Sequence, residues 1–318
     1  MNFDSLNKTP DCVRYVSVSE MHDFLTCQWR WYAKWVLNRV PRRWSAALIL
    51  GTAVHDIFEG HFGNAQPLDK EHAFQVAVLE ERLHSPRDPA EVVAVSQALK
   101  DLKKYYAQIV GFVDKYKIDE VLEVEKAFIL HLHTPKFTWQ SDPVTPRAWV
   151  LRGRPDRVVL VGGFVYHMQH KTVAQGKSPH LYTQVLQRSM HEGLYGYYLA
   201  RQYGDRAYGG TIVNLIRKAT LKAGASPESL AFQAMVGVDE IDRERAMQRA
   251  RAIAAEMDRA EHFGRTRGIN ALIDNPQVDD GYFHNSLDGY FPALQGKVGL
   301  DNDAYFMPRE ETYGQETD

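Results

Sequence analysis

Residues 153–172, GRPDRVVLVGGFVYHMQHKT, constrain the fold more than any other stretch of the chain. Two runs rich in Val and aromatic side chains flank Gly162-Gly163. Two glycines suit a two-residue hairpin turn, because both central positions then take positive φ at no steric cost. The pattern predicts strands over 157–163 and 164–173 joined there. Alternate side chains of a strand share a face, so Gln169 and Lys171 point the same way. Counting back from the turn brings Asp156 on the first arm near Gln169 on the second.

An acid, an amide oxygen and an ammonium then meet on one patch. Oxygen donors hold hard cations such as Mg²⁺, and a nearby lysine orients or deprotonates water, so the patch suits phosphodiester hydrolysis. Surface hairpins also carry such residues freely, and three residues alone do not separate the two readings.

The rest of the chain has to supply a frame for this hairpin. SVSEMHDFLTCQWRWYAKWVL (17–37) opens with Ser17 and Glu20 in capping-box spacing and reads as a helix. Further helices are predicted over 46–62, 70–84, 90–117, 180–203 and 239–264. Strands are predicted over 120–133, 147–153, 209–218 and 230–238, and no structure is assigned to 270–318. The expected class is α/β, with one central mixed β-sheet flanked by helices and a helical N-terminal region. The expected organisation is one continuous domain: a helical region 1–118, a core 119–265 and an irregular tail 266–318.

Composition narrows the function. The 318 residues are 44% hydrophobic and 25% charged with a net charge of −2, so any nucleic-acid contact must come from a local basic patch. Two cysteines, Cys12 and Cys27, cannot build a four-cysteine zinc or iron–sulfur site, and a reducing cytosol is the default. The N-terminus lacks the apolar run of a signal peptide, and no segment is long and apolar enough to suggest a membrane span.

Six blocks in order resemble the PD-(D/E)xK nuclease superfamily, in particular its RecB-like branch with a restriction-endonuclease-like core. They are SVSEMHDFLTCQWRWYAKWV, GTAVHDIFE (51–59), EVEKAF (123–128), LRGRPDRVV (151–159), VYHMQHKT (165–172) and SMHEGLYGYYLA (189–200). Together they span about two thirds of the chain. The resemblance implies that His55, Asp156 and the residue at 169 are side-chain ligands of one or two Mg²⁺ or Mn²⁺ ions. It implies the His170 backbone carbonyl as a further ligand and Lys171 as the catalytic lysine. Tyr195, with His191 four residues before it, would lie beside the site and the DNA. Gly51 would let the His55 helix approach the sheet closely.

Arg152, Arg154 and Arg157 bracket Asp156 and offer planar donor forks for phosphate, joined by Lys177, Arg188, Arg42 and Arg43 in a local patch. Glu59 either holds His55 as a hydrogen-bond acceptor or is a solvated carboxylate. Glu125 either neutralises an arginine near the site or makes an ordinary cross-strand ion pair. Trp29, Trp31, Tyr32 and Trp35 read as helix core before base-stacking groups.

Three departures from the pattern stand out. Gln169 replaces the Asp or Glu of the family, which removes one anionic ligand and leaves either a natural attenuated site or a Glu→Gln change. His191 stands where the family has glutamine. The C-terminal region lacks the cysteines of relatives with an iron–sulfur cluster, so no cluster is expected and Cys27 reads as a buried small hydrophobe.

The resemblance thus implies a metal-dependent DNA exonuclease in recombination, repair or processing. It would be a stand-alone form of phage or prophage type, cytoplasmic in the bacterial cell or infected host. DNA is the expected partner, with a recombination or single-strand-binding protein as another. The rival readings are a non-cleaving DNA- or partner-binding module on a nuclease core, and an unrelated α/β enzyme in which His55 and Asp156 lie too far apart to share an ion.

Overall fold

Gly162 and Gly163 turn the chain at φ 57° and 80°, and the hairpin forms where the sequence puts it. A computed structural model describes residues 13–41, 44–86, 88–110, 116–133, 148–174, 178–204, 207–218, 224, 230–272, 300–301 and 306–308. In chain order these form β1 (Val13–Val16), α1 (Val18–Thr26), α2 (Gln28–Trp31), a π-helical turn (Tyr32–Val36), β2 (Arg39–Pro41), α3 (Ala46–Gly63), α4 (Leu68–His84) and α5 (Pro89–Val110). Then come β3 (Glu120–Val124), β4 (Phe128–His133), β5 (Ala148–Gly153), β6 (Arg157–Val161) and β7 (Phe164–Ala174). The chain continues through α6 (Pro179–Gln187), α7 (Met190–Tyr203), β8 (Tyr208–Lys218), β9 (Ala231–Val236), α8 (Glu240–Arg267), a 3₁₀ turn (Ile269–Leu272) and β10 (Phe306–Pro308). The fold is α/β, as expected.

Contacts group the chain into two compact units. One comprises Met1–Arg42, Ala127–Gly153 and Ala246–Asp318; the other comprises Arg43–Lys126 and Arg154–Arg245. This partition cuts across the chain-order division into 1–118, 119–265 and 266–318.

The single sheet expected from the sequence is instead several. The second unit holds five strands in the order β3-β6-β7-β8-β9, mixed because β7 and β8 pair in parallel while the others are antiparallel. The first unit holds β1-β5-β4 and the pair β10-β2. The stretch 120–133, read as one strand, breaks at Glu125, which takes φ 47° in the left-handed region, and its two halves enter different sheets. Helix 180–203 likewise breaks at Ser189, whose extended backbone and hydroxyl cap α7. Helix 17–37 breaks at Cys27, extended at φ −161°.

The five-stranded sheet has two apolar faces. Val158 and Val165 pack with Leu199 and Ala200 of α7, and Val173, Val213 and Leu215 lie with Tyr182 and Leu186 of α6. On the opposite face Ile216 joins the core of α3, α4 and α5, built from residues such as Ile57, Phe58, Val95 and Leu102. Gly210 allows β8 to pass β9: it sits at φ 120°, and an added Cβ would lie 2.4 Å from the Val236 carbonyl oxygen. Gly210→Ala is therefore expected to cost about 2 kcal/mol or more of stability, read by chemical denaturation.

In the first unit Trp29, Trp31 and Tyr32 are buried, as their apolar stripe predicts. Glu20 is buried with them and accepts from Trp31 Nε1 at 3.0 Å and Arg14 at 2.6 Å. Cys27 is buried, and its Sγ accepts from the Arg30 N–H. Cys12, Arg42, Arg43, Lys177 and nearly all of the tail beyond 272 lie outside the described residues. Among the described residues no helix is long and apolar enough to cross a membrane.

Candidate metal centre

The site is assembled wholly within the second unit, around the point where the chain enters β6. Register pairs Arg157 with Met168, so the preceding Asp156 comes opposite Gln169. Asp156 Oδ2 accepts the His170 N–H at 2.8 Å, which fixes the carboxylate against β7. The Asp156 carbonyl accepts the Glu125 N–H at 3.2 Å, so the kink after β3 is tied to the same point. Tyr195 grips the approach to Asp156: its hydroxyl accepts the Arg154 N–H at 3.1 Å and donates to the Arg154 carbonyl at 3.2 Å.

α3 brings in His55, whose Nδ1 lies 3.5 Å from Asp156 Oδ2. This distance removes the reading in which the two lie too far apart to share an ion. The seating of α3 does not depend on Gly51, where an added Cβ would meet nothing within 4 Å; the close approach to the sheet is at Gly63, against Val124. One ligating atom each from His55, Glu125 and Asp156 lies within 4.8 Å of the other two. These residues line a recess together with Phe58, Glu59, Phe62, Val124, Arg157 and His170, with about 10 Å³ of open interior, room for one ion or water.

The electrostatics fit a cation. Burial alone would raise the Asp156 carboxyl, but His55, Lys171 and the His170 N–H outweigh it and hold the group at about 2. Burial and the neighbouring Asp156, Glu59 and Asp56 charges push Glu125 up to about 8, despite its ion pair with Arg154 at 2.9 Å. Burial and Glu59 push Asp56 to about 6. His55 is lowered by burial, with Lys171 and Arg154 adding to it against Asp156. A neutral imidazole among crowded carboxylates is the donor set a divalent ion takes.

The Glu125 shift has a pH consequence. Its carboxyl holds a proton in the folded chain that the unfolded chain has lost. Its contribution to the metal-free protein is complete below about pH 4.5 and is lost as pH rises through about 8. Melts in chelator across this window are expected to show falling stability, and Glu125→Gln should flatten the decline.

The other expected site residues divide. Lys171 is half-buried, and its charge reaches Asp156, His55 and Tyr182. Gln169 is buried and donates its amide to Glu192 Oε1 at 2.6 Å. His170 is buried and stacks on Phe58 at 4.2 Å. Its Nδ1 accepts from Asn214, which in turn accepts from Gln233 at 2.6 Å, giving a polar rung across β7, β8 and β9.

Arg157 is not the exposed fork expected from the sequence: it is 1% exposed, over the Phe62 ring at 3.6 Å and against Met168 Sδ. Tyr195 is buried, and its hydroxyl bonds the Arg154 backbone two residues before Asp156. His191 stacks on Tyr195 at 4.2 Å and contacts Glu192. Arg154 is exposed beside Glu125, whereas Arg152 belongs to the first unit and lies over Tyr15. Glu59 is exposed at the recess and makes no hydrogen bond to His55 among the described residues.

Sequence reasoning missed Glu192, Asp56, Asn214 and Gln233. Glu192 stands three after Ser189, and Ser189 does accept its N–H. Its side chain turns to the sheet, where Gln169 and Thr211 donate to it.

A family model described as the PD-(D/E)XK nuclease superfamily matches residues 15–268. No curated protein is found to match the chain.

Proposed function

Because the chain belongs to the PD-(D/E)XK nuclease superfamily, we propose that the recess at the head of β6 is its catalytic centre and that it hydrolyses DNA phosphodiester bonds with Mg²⁺ or Mn²⁺. The observation that carries this is the convergence of His55, Glu125 and Asp156 on one ion-sized space, with two acidic groups held at opposite extremes of protonation. Glu125, read from sequence as an outer residue, is here assigned as a ligand. The His170 carbonyl and the Gln169 oxygen complete the proposed donors.

A divalent cation bound there supplies the positive charge that stabilises the phosphate as charge develops on it. The protein's own residues do the rest. His55, Glu125 and Asp156 would hold the ion, and the His170 N–H keeps the Asp156 carboxylate from rotating away. Lys171 lies two positions after Gln169 on the same strand, where its ammonium would orient the attacking water by donating to it. Arg154, exposed beside Glu125, offers a fork to the phosphate. Tyr195 fixes the backbone of that arginine.

Exonuclease action in DNA recombination, repair or processing, and the RecB-like phage type, extend this reading from the block resemblance. Gln169 favours a second reading, a binding module without cleavage. End-labelled linear DNA and closed circular DNA, each incubated in Mg²⁺, Mn²⁺ and chelator, separate them. Cleavage of linear DNA with circles spared and loss in chelator is the expected result. Binding without cleavage in either metal would leave the module as the better account.

A further inference from the structure

Gln169 and Glu192 are buried on facing elements, at 1% and 0% exposure. Three donors converge on the Glu192 carboxylate. The Gln169 amide nitrogen lies 2.6 Å from Oε1, Thr211 Oγ1 lies 2.5 Å from Oε2, and His191 Nδ1 lies 2.9 Å from Oε1. A carboxylate accepts only, so it must face the NH₂ end of the glutamine and not its oxygen. The Gln169 oxygen is therefore turned away from Glu192. It is buried and has no hydrogen-bond partner among the described residues. A buried acceptor without a partner is rare and calls for a donor or an ion.

We propose that Gln169 and Glu192 are a matched pair, in which Glu192 supplies from the helix the negative charge that strand position 169 lacks and holds the Gln169 oxygen as a neutral donor for the cation. This rests on the reading of the recess as a divalent-cation site. Glu192 is a positioning residue: it acts through the amide it orients. The pairing also explains why glutamine belongs here. A carboxylate at 169 would stand where its neighbour is 2.6 Å away, in a dry space, and two like charges cannot both ionise at that separation. Restoring the acid of the family pattern at this position would harm this chain.

The test compares wild type, Gln169→Glu, Glu192→Gln and the charge-swapped double variant. Thermal melts are run in chelator, and Mn²⁺ binding is followed by electron paramagnetic resonance. Gln169→Glu is expected to lower the metal-free Tm by roughly 5 °C or more and to weaken Mn²⁺ binding about tenfold or more. The double variant should regain most of the Tm and bind Mn²⁺ within about tenfold of wild type. Glu192→Gln alone should weaken Mn²⁺ binding; if it moves only the Tm, Glu192 is structural and the proposal falls.

A Gln169→Glu protein with wild-type Tm and equal or tighter Mn²⁺ binding overturns the pairing. So does a double variant no better than the single in metal-free melts. Wild type that binds no Mn²⁺ removes the cation-site reading instead, whatever the melts show.

Discussion

Asp156→Asn is expected to abolish nuclease activity, with a loss of about three orders of magnitude or more in kcat/KM, while leaving the fold intact. The asparagine keeps an oxygen for the His170 N–H, which Asp156 now binds at 2.8 Å, so the head of β6 stays in register. It loses the charge. Asp156 is the acid that stays ionised in this site, held at about 2, whereas Glu125 at about 8 carries its proton in metal-free protein near neutrality. Removing that charge takes several kcal/mol of transition-state stabilisation at an ion-dependent centre, and each 1.4 kcal/mol is about tenfold in rate. Cleavage kinetics with saturating Mn²⁺, set beside a thermal melt, check both halves. A variant that melts like wild type and still cuts at more than about a tenth of its rate would sink the assignment of Asp156.

Phe58→Ala is expected to cause the largest loss of stability among substitutions near the site, about 3–5 kcal/mol. Phe58 is buried in the core of α3, α4 and α5, and its ring stacks on His170 at 4.2 Å and on Phe62 at 6.0 Å. Truncation leaves a cavity between α3 and β7 that the packed sheet cannot close. At the scaling for domains of this size, the Tm should fall by roughly 6–20 °C. The effect should also reach chemistry, because α3 carries His55 and β7 carries the His170 N–H that holds Asp156. Denaturant unfolding and Mn²⁺ binding measured together are the check. Phe58→Leu, which refills most of the volume, should recover more than half of both losses; a Leu variant as poor as Ala would show that the ring contact with His170 matters more than packing.

The local pattern was legible where the physics is local. Gly162-Gly163 announces its turn because positive φ is cheap only for glycine, and alternation along 157–173 follows from the pleat. Register alone then carries Asp156 to the middle of β7, opposite Gln169. The resemblance of the blocks around His55 and Asp156 to the family implied that both share one site, and they lie 3.5 Å apart although 100 residues separate them in the chain.

What stayed hidden depends on contacts between elements. Glu125 looked like part of a continuous strand, and only its left-handed backbone, tied to the Asp156 carbonyl, turns its carboxylate toward His55. Arg157 looked like a surface arginine beside two others. Strand alternation places it under Phe62, and the periodicity of 2 cannot say which face a helix will cover. Glu192 lay inside a stretch read as one helix, 180–203, and helical periodicity does not say which polar side chain turns to the sheet.

The sequence by itself determined the hairpin, the α/β class and the approach of Asp156 to Gln169, because turn chemistry, alternation and residue type are properties of short stretches. Only the tertiary structure decided which carboxylates stand around the recess, which arginine is buried, and that the amide at 169 has an acid for a neighbour. Those facts depend on which helix lies against which sheet face, and burial then sets the charge each group carries.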